Sequence, residues 1–285
     1  MEKLGLALGG GGLKGVAYIG AFKALRELNV NVEYLSGTSS GSIFATLFAL
    51  DYTDDEMLKK VKDNYKYLIA IDKKKIVLGL YSFIRTRTVN IKGIMNDKSV
   101  SQLIKSIGEQ KKVSNMNQIK IPYAVCTVDT ISTKECIFLS KEIKNKQEDI
   151  DYLYDVDIER AIRSSMAFPG IFSSVNYDKY NFIDGGTKDN LPVQVLMDMG
   201  ATKTLALNFK LDEYTPTDDV LAVLLRTCDI FSQKDVLRAQ EKADYFIEIS
   251  APGSSLLSLD DFDKLVDIGY NAIMDNKEKI LELVK

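Results

Sequence analysis

Residues 4–15 read LGLALGGGGLKG, and residues 32–43 read VEYLSGTSSGSI. Each stretch begins with a short apolar run, passes through closely spaced glycines, and leads into a segment with apolar residues at helical spacing. Two strand–turn–helix units in tandem predict a largely parallel sheet covered by helices. These two stretches therefore indicate an α/β protein.

The rest of the chain continues this alternation without an internal repeat or a Pro-rich linker. Further strands are predicted at 121–128, 136–139, 181–183, 204–209 and 245–249, and helices at 158–166, 218–239 and 262–284. At 285 residues, roughly three quarters of the unfolded surface can be buried in one core. We therefore expect residues 1–285 to form a single domain, with the motifs in about 4–200 and residues 201–285 completing the fold.

Histidine is absent from the whole sequence. Its absence excludes a Ser-His-Asp triad, a Cys-His pair and any zinc site that needs imidazole. Lys and Arg number 37 against 40 Asp and Glu, a net charge of −3, so no nucleic-acid partner is expected. The three cysteines, Cys126, Cys136 and Cys228, form no CxxC pattern, and neither a metal nor a cofactor is expected.

Ser39 lies in the pattern Gly37-x-Ser39-x-Gly41, between a predicted strand and a predicted helix. Glycines on both sides of a serine permit the sharp turn that lifts a nucleophilic hydroxyl above the sheet. The N-terminus of the following helix favours negative charge that develops at the same place. The alternative is a tight turn that merely contains a serine, and the strand–turn–helix context favours the nucleophile.

A nucleophilic serine needs a base, which without histidine is a carboxylate or a lysine. Asp184 stands out among the carboxylates because it ends a short apolar strand and precedes Gly185 and Gly186. Glycines at these positions let the chain turn tightly and keep the carboxylate clear of bulky neighbours. Taken alone, the segment is equally compatible with an ordinary Asp-Gly turn.

The glycine run that starts at Gly9 lies at the mouth of a predicted helix and offers backbone amides for an oxyanion. The same run matches the dinucleotide-binding pattern GxGxxG, which requires an acidic residue at the end of the second strand. Glu33 has nearly the right spacing but begins that strand, so the oxyanion interpretation is favoured. Lys14 supports the loop, meets an anionic substrate group or is simply solvated. The expected oxyanion donors are Gly10, Gly11 and Gly12.

A glycine loop, a serine elbow and an Asp-Gly-Gly sequence, in this order, resemble the patatin-like phospholipase family. The resemblance rests on Gly9–Gly15, Gly37–Ser42 and Asp184–Gly186, helped by Ser165–Pro169, and covers about residues 4–200. It implies a three-layer α/β/α fold with a mostly parallel central sheet, and a Ser-Asp dyad that hydrolyses acyl esters of lipids.

Carried over by position, the resemblance makes Ser39 the nucleophile and Asp184 the base, with the glycine loop as the oxyanion hole. Gly186 stands where many family members have alanine. The residues expected to support these motifs are Lys14, Gly15, Gly37, Gly41, Gly185 and Gly186.

The sequence thus predicts a serine lipid acyl hydrolase of the phospholipase A or lysophospholipase type, acting on a lipid or acyl ester. The same two residues would serve an acyl-thioester hydrolase or an acyltransferase. A catalytically silent lipid-binding or signalling module and a nucleotide-binding protein are the alternatives from other classes. The motifs define neither head group, chain length and regiospecificity nor the oligomeric state.

Residues 68–71 and 76–84 are apolar stretches on either side of Lys73, Lys74 and Lys75. Apolar side chains beside lysines are typical of a surface that meets a membrane. Packing on the core with solvated lysines is the alternative, and the commoner arrangement. The N-terminus lacks the features of a signal peptide, so a cytoplasmic location is expected, with peripheral membrane contact compatible with this segment.

Overall fold

The computed structural model describes residues 2–68, 71–72, 74–75, 85, 93–217, 219–251 and 262–285. The strands are β1 (Leu4–Leu8), β2 (Val32–Thr38), β3 (Tyr123–Asp129), β4 (Glu135–Leu139), β5 (Ile150–Leu153), β6 (Val175–Tyr177), β7 (Tyr180–Asp184), β8 (Lys203–Phe209) and β9 (Tyr245–Ile249). They form one nine-stranded sheet in the order β5-β4-β3-β2-β1-β8-β9, with β7 paired to β3 and β6 paired to β7. The pairs β1–β2, β1–β8, β2–β3, β4–β5 and β8–β9 are parallel.

Helices lie on both faces of this sheet. They are α1 (Ala17–Glu27), α2 (Ser40–Ala49), α3 (Asp54–Leu68), α4 (Asp97–Gln110), α5 (Ile158–Ser165), α6 (Gln194–Met199), α7 (Val220–Lys242), α8 (Phe262–Met274) and α9 (Lys277–Leu283). Side chains alternate between faces along β1, so Leu6 and Leu8 join the larger core with α1 and α2. Ala7 points to the other face and packs with Leu196 and Ala239 of α6 and α7. The prediction of a three-layer α/β/α fold with a mostly parallel sheet is confirmed.

Strand β3 has two different neighbours along one edge. Cys126 pairs with Thr38 at the end of parallel β2, and the next residue, Thr127, pairs with Asp184 at the end of antiparallel β7. The C-terminal ends of β2 and β7 therefore meet head to head beside β3. Whatever follows Thr38 must lie next to Asp184.

Several elements differ from the sequence prediction. The closing helix predicted at 262–284 is broken at Asp275 and Asn276, which compete with the backbone for hydrogen bonds and disfavour a helix interior. The sequence does not predict strands β5 and β6, because at four and three residues they are too short for an alternating pattern to stand out. Helices α3 and α4 lie in a region to which the sequence pattern assigns no individual element.

The apolar stretch 76–84, and residues 69, 70 and 73, lie outside the described residues. Lys75 does not act as a solvated lysine: its Nζ lies 2.5 Å from Asp97 Oδ2 and 2.8 Å from the carbonyl of Met95. Lys75 therefore anchors its segment to the start of α4. Among the helices that the structure describes, none has both the length and the apolar character to cross a membrane.

The described residues after 200 pack against the rest of the structure. Strands β8 and β9 extend the sheet from β1, and α8 crosses α1 at two glycines. A Cβ at Gly20 would stand 1.8 Å from the carbonyl oxygen of Val266, and one at Gly269 would stand 1.7 Å from that of Ala17. Because the helix backbones touch at this crossing, we propose that the chain folds as a single domain.

Gly269→Ala tests this proposal. The added methyl group must push α8 away from α1, and overpacking of this kind costs about 1–3 kcal/mol of unfolding free energy. We expect thermal unfolding to remain a single transition with a lower midpoint, measured by calorimetry. Asn271→Ala, at an exposed position of the same helix, is the control and should leave the midpoint within about a degree or raise it. A separate early transition confined to the C-terminal residues would contradict the single domain.

Candidate active site

Ser39 occupies the turn between β2 and α2. Its backbone has φ 53° and ψ −126°, a conformation that is strained for any residue except glycine. Strain of this kind is stored at functional turns that aim a side chain out of the sheet. The side chain is half-buried, and the Ser42 amide and hydroxyl both donate to the Ser39 carbonyl, at 3.0 and 2.6 Å.

The Ser39 hydroxyl donates a hydrogen bond to Oδ2 of Asp184 at 2.7 Å, across 145 residues of sequence. The other carboxylate oxygen, Oδ1, accepts the Gly186 amide at 2.8 Å. Asp184 is 1% exposed, and its burial raises the pKa to about 7 against the opposing effect of these two hydrogen bonds. A base with a pKa near neutrality, bonded directly to a hydroxyl, can accept its proton.

The glycine loop lines the same cavity as Ser39, and its three candidate oxyanion donors differ in their hydrogen-bond acceptors. The Gly10 amide donates to the carbonyl oxygen and to Oδ1 of Asn190, at 3.3 and 3.2 Å, and the Gly11 amide donates to Ser40 Oγ at 3.0 Å. Gly12 has φ 59°, and its amide has no acceptor among the described residues. The Gly10 amide is thus directed at Asn190, and its role as an oxyanion donor stays a prediction.

Lys14 is buried rather than solvated. Its Nζ lies 2.8 Å from Asp212 and 3.4 Å from the carbonyl of Lys210, so it ties the glycine loop to the end of β8. Each predicted motif glycine lies where another group approaches the backbone closely, since a Cβ there would come within 3 Å of that group. These are Gly15 against Phe44, Gly37 against Gly41, Gly41 against the Leu8 carbonyl, Gly185 against the Cys126 carbonyl, and Gly186 against Asn190.

Ser39 and Asp184 open onto a cavity of about 170 Å³. Its walls are mainly aliphatic and aromatic, with Ile43, Phe44, Val61, Leu103, Met166 and Phe172 among them. Helix α7 closes one side with Cys228, Asp229 and Ser232. A mostly apolar cavity with a few convergent polar groups suits a ligand with a hydrocarbon part.

Sequence reasoning did not find Asn190 or the α7 residues. The one sequence feature that could point to Asn190 is its position, as a polar residue shortly after the Asp-Gly-Gly motif. Its neighbours are held from β2, where Ser36 Oγ donates to the carbonyl of Pro192 at 2.6 Å and Thr38 Oγ1 to that of Asp189 at 2.8 Å. Cys228 belongs to no sequence motif. It reaches the cavity only because of the way α7 packs in the fold, and a local sequence pattern does not reveal that packing.

One group of potential metal ligands occurs in the described part of the chain: Cys126, Glu135 and Asp189 lie with their ligand atoms within 4.8 Å of one another. Burial raises the pKa of the Cys126 thiol well above its usual value and also raises those of both carboxyls. Metal ions bind thiolate and carboxylate rather than the protonated groups. A metal ion would therefore have to displace protons from this cluster in order to bind there.

Comparisons with known proteins identify the family of the chain. The family model described as patatin-like phospholipase matches residues 6–197. An uncharacterized NTE family protein of Mycobacterium tuberculosis is 24% identical over 217 residues, 76% of this chain and 52% of that protein. Lysophospholipase NTE1 of Meyerozyma guilliermondii is 27% identical over 241 residues, 81% of this chain and 15% of that protein. The chain thus spans about half the length of the mycobacterial relative, and much less of the yeast one.

Among solved structures, VipD from Legionella pneumophila superposes with a TM-score of 0.53 and 15% identity, covering 98% of this chain and 67% of that one. At this identity the likeness concerns the fold alone. The family match does more, because it spans the glycine loop, the serine elbow and the Asp-Gly-Gly motif in one alignment. The chain belongs to the patatin-like phospholipase family.

Proposed function

We propose that the protein is a serine lipid acyl hydrolase, a phospholipase A or lysophospholipase-type esterase that works through Ser39 and Asp184. The observation that carries this proposal is the 2.7 Å hydrogen bond from the Ser39 hydroxyl to Asp184 at the edge of an apolar cavity. Membership of the patatin-like phospholipase family, and the name of the yeast lysophospholipase, support a lipid ester as substrate.

In the first step, Ser39 Oγ attacks the ester carbonyl while its proton passes to Asp184 Oδ2. The tetrahedral intermediate collapses to an acyl-serine, and the protonated Asp184 returns the proton to the departing alkoxide. In the second step, a water gives its proton to Asp184 and attacks the acyl-serine. Ser39 recovers that proton as the fatty acid leaves.

The oxyanion needs donors aimed at the place where its charge develops. Gly12 is the strongest candidate, because its amide has no acceptor among the described residues. Gly11 would contribute when Ser40 Oγ gives way to the oxyanion. Gly10 serves to hold the loop through Asn190. The acyl chain would lie against Phe44, Met166 and the other apolar walls.

The acyl acceptor is the open part of this proposal, since a thioester hydrolase and an acyltransferase share the same acyl-serine. Release of free fatty acid from a lysophospholipid, without added alcohol or thiol, distinguishes water as the acceptor. A location in the cytoplasm with peripheral contact with a membrane is part of the same proposal.

Ser39→Ala and Asp184→Asn should each lower kcat for ester hydrolysis by about 10³-fold or more, because each removes a group that acts in both steps. Initial rates on a short soluble ester and on a lysophospholipid measure this. Asp178→Asn, an exposed aspartate in the turn between β6 and β7, is the matched control and should keep its rate. If Asp184→Asn retained near-normal turnover, the base would be another group, with a lysine as the next candidate.

The pH dependence of kcat/KM should reveal the carboxylate. Asp184 must be deprotonated to act as a base, so activity should rise with pH to a plateau, with a midpoint near the pKa of about 7. A midpoint near 4, the value of an ordinary aspartate, would contradict a buried base.

Stability should depend on pH in the opposite direction. Because burial raises the pKa of Asp184 to about 7 in the folded state, its contribution to stability is present below pH 4 and is lost as the pH rises through 7. Asparagine does not ionise, so Asp184→Asn does not lose stability in this way as the pH rises. Its melting temperature relative to wild type should therefore be higher at pH 8.5 than at pH 5, and an unchanged difference would contradict the raised pKa.

Thiol modification tests the cavity. Cys228 is half-buried and lines it, whereas Cys126 and Cys136 are fully buried. Burial and the nearby Asp229 and Asp184 raise the pKa of the Cys228 thiol, so a bulky maleimide should be used at pH 8.5. It should block hydrolysis of a long-chain ester in wild type, and leave Cys228→Ser at its own untreated rate. Full activity of a protein labelled at Cys228 would place the substrate elsewhere.

A further inference from the structure

Ser165 is the last residue of α5 and is completely buried. Its Oγ accepts the backbone amide of Ser39 at 2.9 Å and donates to the carbonyl of Cys126 at 2.5 Å. One hydroxyl thus uses its donor and one acceptor site to join the strained serine turn to β3. Ser165 lies outside the cavity lining, so it does not meet the substrate.

The same stretch of chain also holds Asp184. Two residues after Ser165, the carbonyl of Ala167 accepts the backbone amide of Asp184 at 3.1 Å. The stretch Ser165–Ala167 therefore binds the backbone amides of both Ser39 and Asp184. Because both contacts are to backbone amides, they fix the two residues relative to each other and leave the side chains of Ser39 and Asp184 available for the reaction.

Ser39 needs such a restraint. Its φ of 53° is costly for a serine, and strained backbone persists only where the surroundings hold it. The Ser165 hydroxyl provides the acceptor for the amide on the N-terminal side of that strained residue. Without it, the turn can relax, and the Ser39 hydroxyl moves relative to Asp184, which stays fixed in β7.

We infer that Ser165 is a positioning residue for the reaction, which sets the separation between the nucleophile Ser39 and the base Asp184. This inference rests on the proposed function. It gives a role to the segment Ser165–Pro169, which the proposed function leaves unexplained. The neighbouring Ser164 offers a natural contrast, because it is also completely buried but its hydroxyl has no partner among the described residues.

Ser165→Ala and Ser164→Ala form the matched pair for the test. Each deletes one buried hydroxyl from adjacent residues, but only the first deletes a link to Ser39. On a soluble ester, Ser165→Ala should lower kcat roughly ten- to hundredfold, the effect of a small misplacement of reacting groups, with KM within about twofold. Ser164→Ala should keep kcat within about twofold of wild type. Ser165→Thr, which keeps the hydroxyl, should recover most of the lost rate.

The pH profile separates positioning from general weakening of the fold. The hydrogen bond from the Ser39 hydroxyl lowers the pKa of Asp184. When Ser39 moves in Ser165→Ala, this bond to Asp184 weakens, and the midpoint of kcat/KM should move above 7. A fold that is merely less stable would leave that midpoint where it is. If Ser165→Ala has no cooperative thermal transition, Ser165→Cys keeps the side-chain shape with a weaker acceptor and should show at least a tenfold loss.

Labelling of Ser39 by a fluorophosphonate separates this inference from the proposed function. Wild type that neither hydrolyses esters nor is labelled refutes both. Wild type and Ser165→Ala that react at equal rates, with equal kcat and equal midpoints, refute the positioning role alone. Equal losses in Ser164→Ala and Ser165→Ala also overturn it.

Discussion

The meeting of two strand ends beside β3 is the constraint on which the rest of the site depends. Because β7 runs antiparallel to β3 and stops one residue from the level at which β2 stops, Asp184 and Thr38 face consecutive residues of one strand. Ser39 comes next in the chain and reaches the carboxylate directly. No mobile loop is needed to bring the two groups together, since the register of the sheet does so.

This arrangement also accounts for the electrostatics of the site. A carboxylate that is only 1% exposed costs free energy when it is charged. Here it is stabilised by the Ser39 hydroxyl and the Gly186 amide, and no cation in the described part of the chain is bonded to it. The outcome is a pKa raised to about 7. A protein without histidine thereby obtains a group that titrates in the range where imidazole would.

Sequence alone was sufficient for the α/β class and for bringing attention to Ser39 and Asp184, because strand–glycine–helix patterns and glycine-flanked polar residues are local signals. It did not reveal the pairing of β7 with β3, nor the direction of the Gly10 amide, since both depend on long-range register. The roles of Asn190, Ser165 and Cys228 depend on contacts with distant segments. Lys14 stands between these two groups. The sequence offers three roles for it, namely loop support, contact with an anionic substrate group and solvation, and the ion pair with Asp212 favours loop support.

The central claim, a serine activated directly by a buried carboxylate, is tested most directly by peptide mapping of the protein after reaction with a fluorophosphonate at pH 8. The account predicts a single adduct, on Ser39, in wild type, and a strongly slowed reaction in Asp184→Asn. An adduct on another serine, or equal labelling rates in wild type and Asp184→Asn, would contradict it.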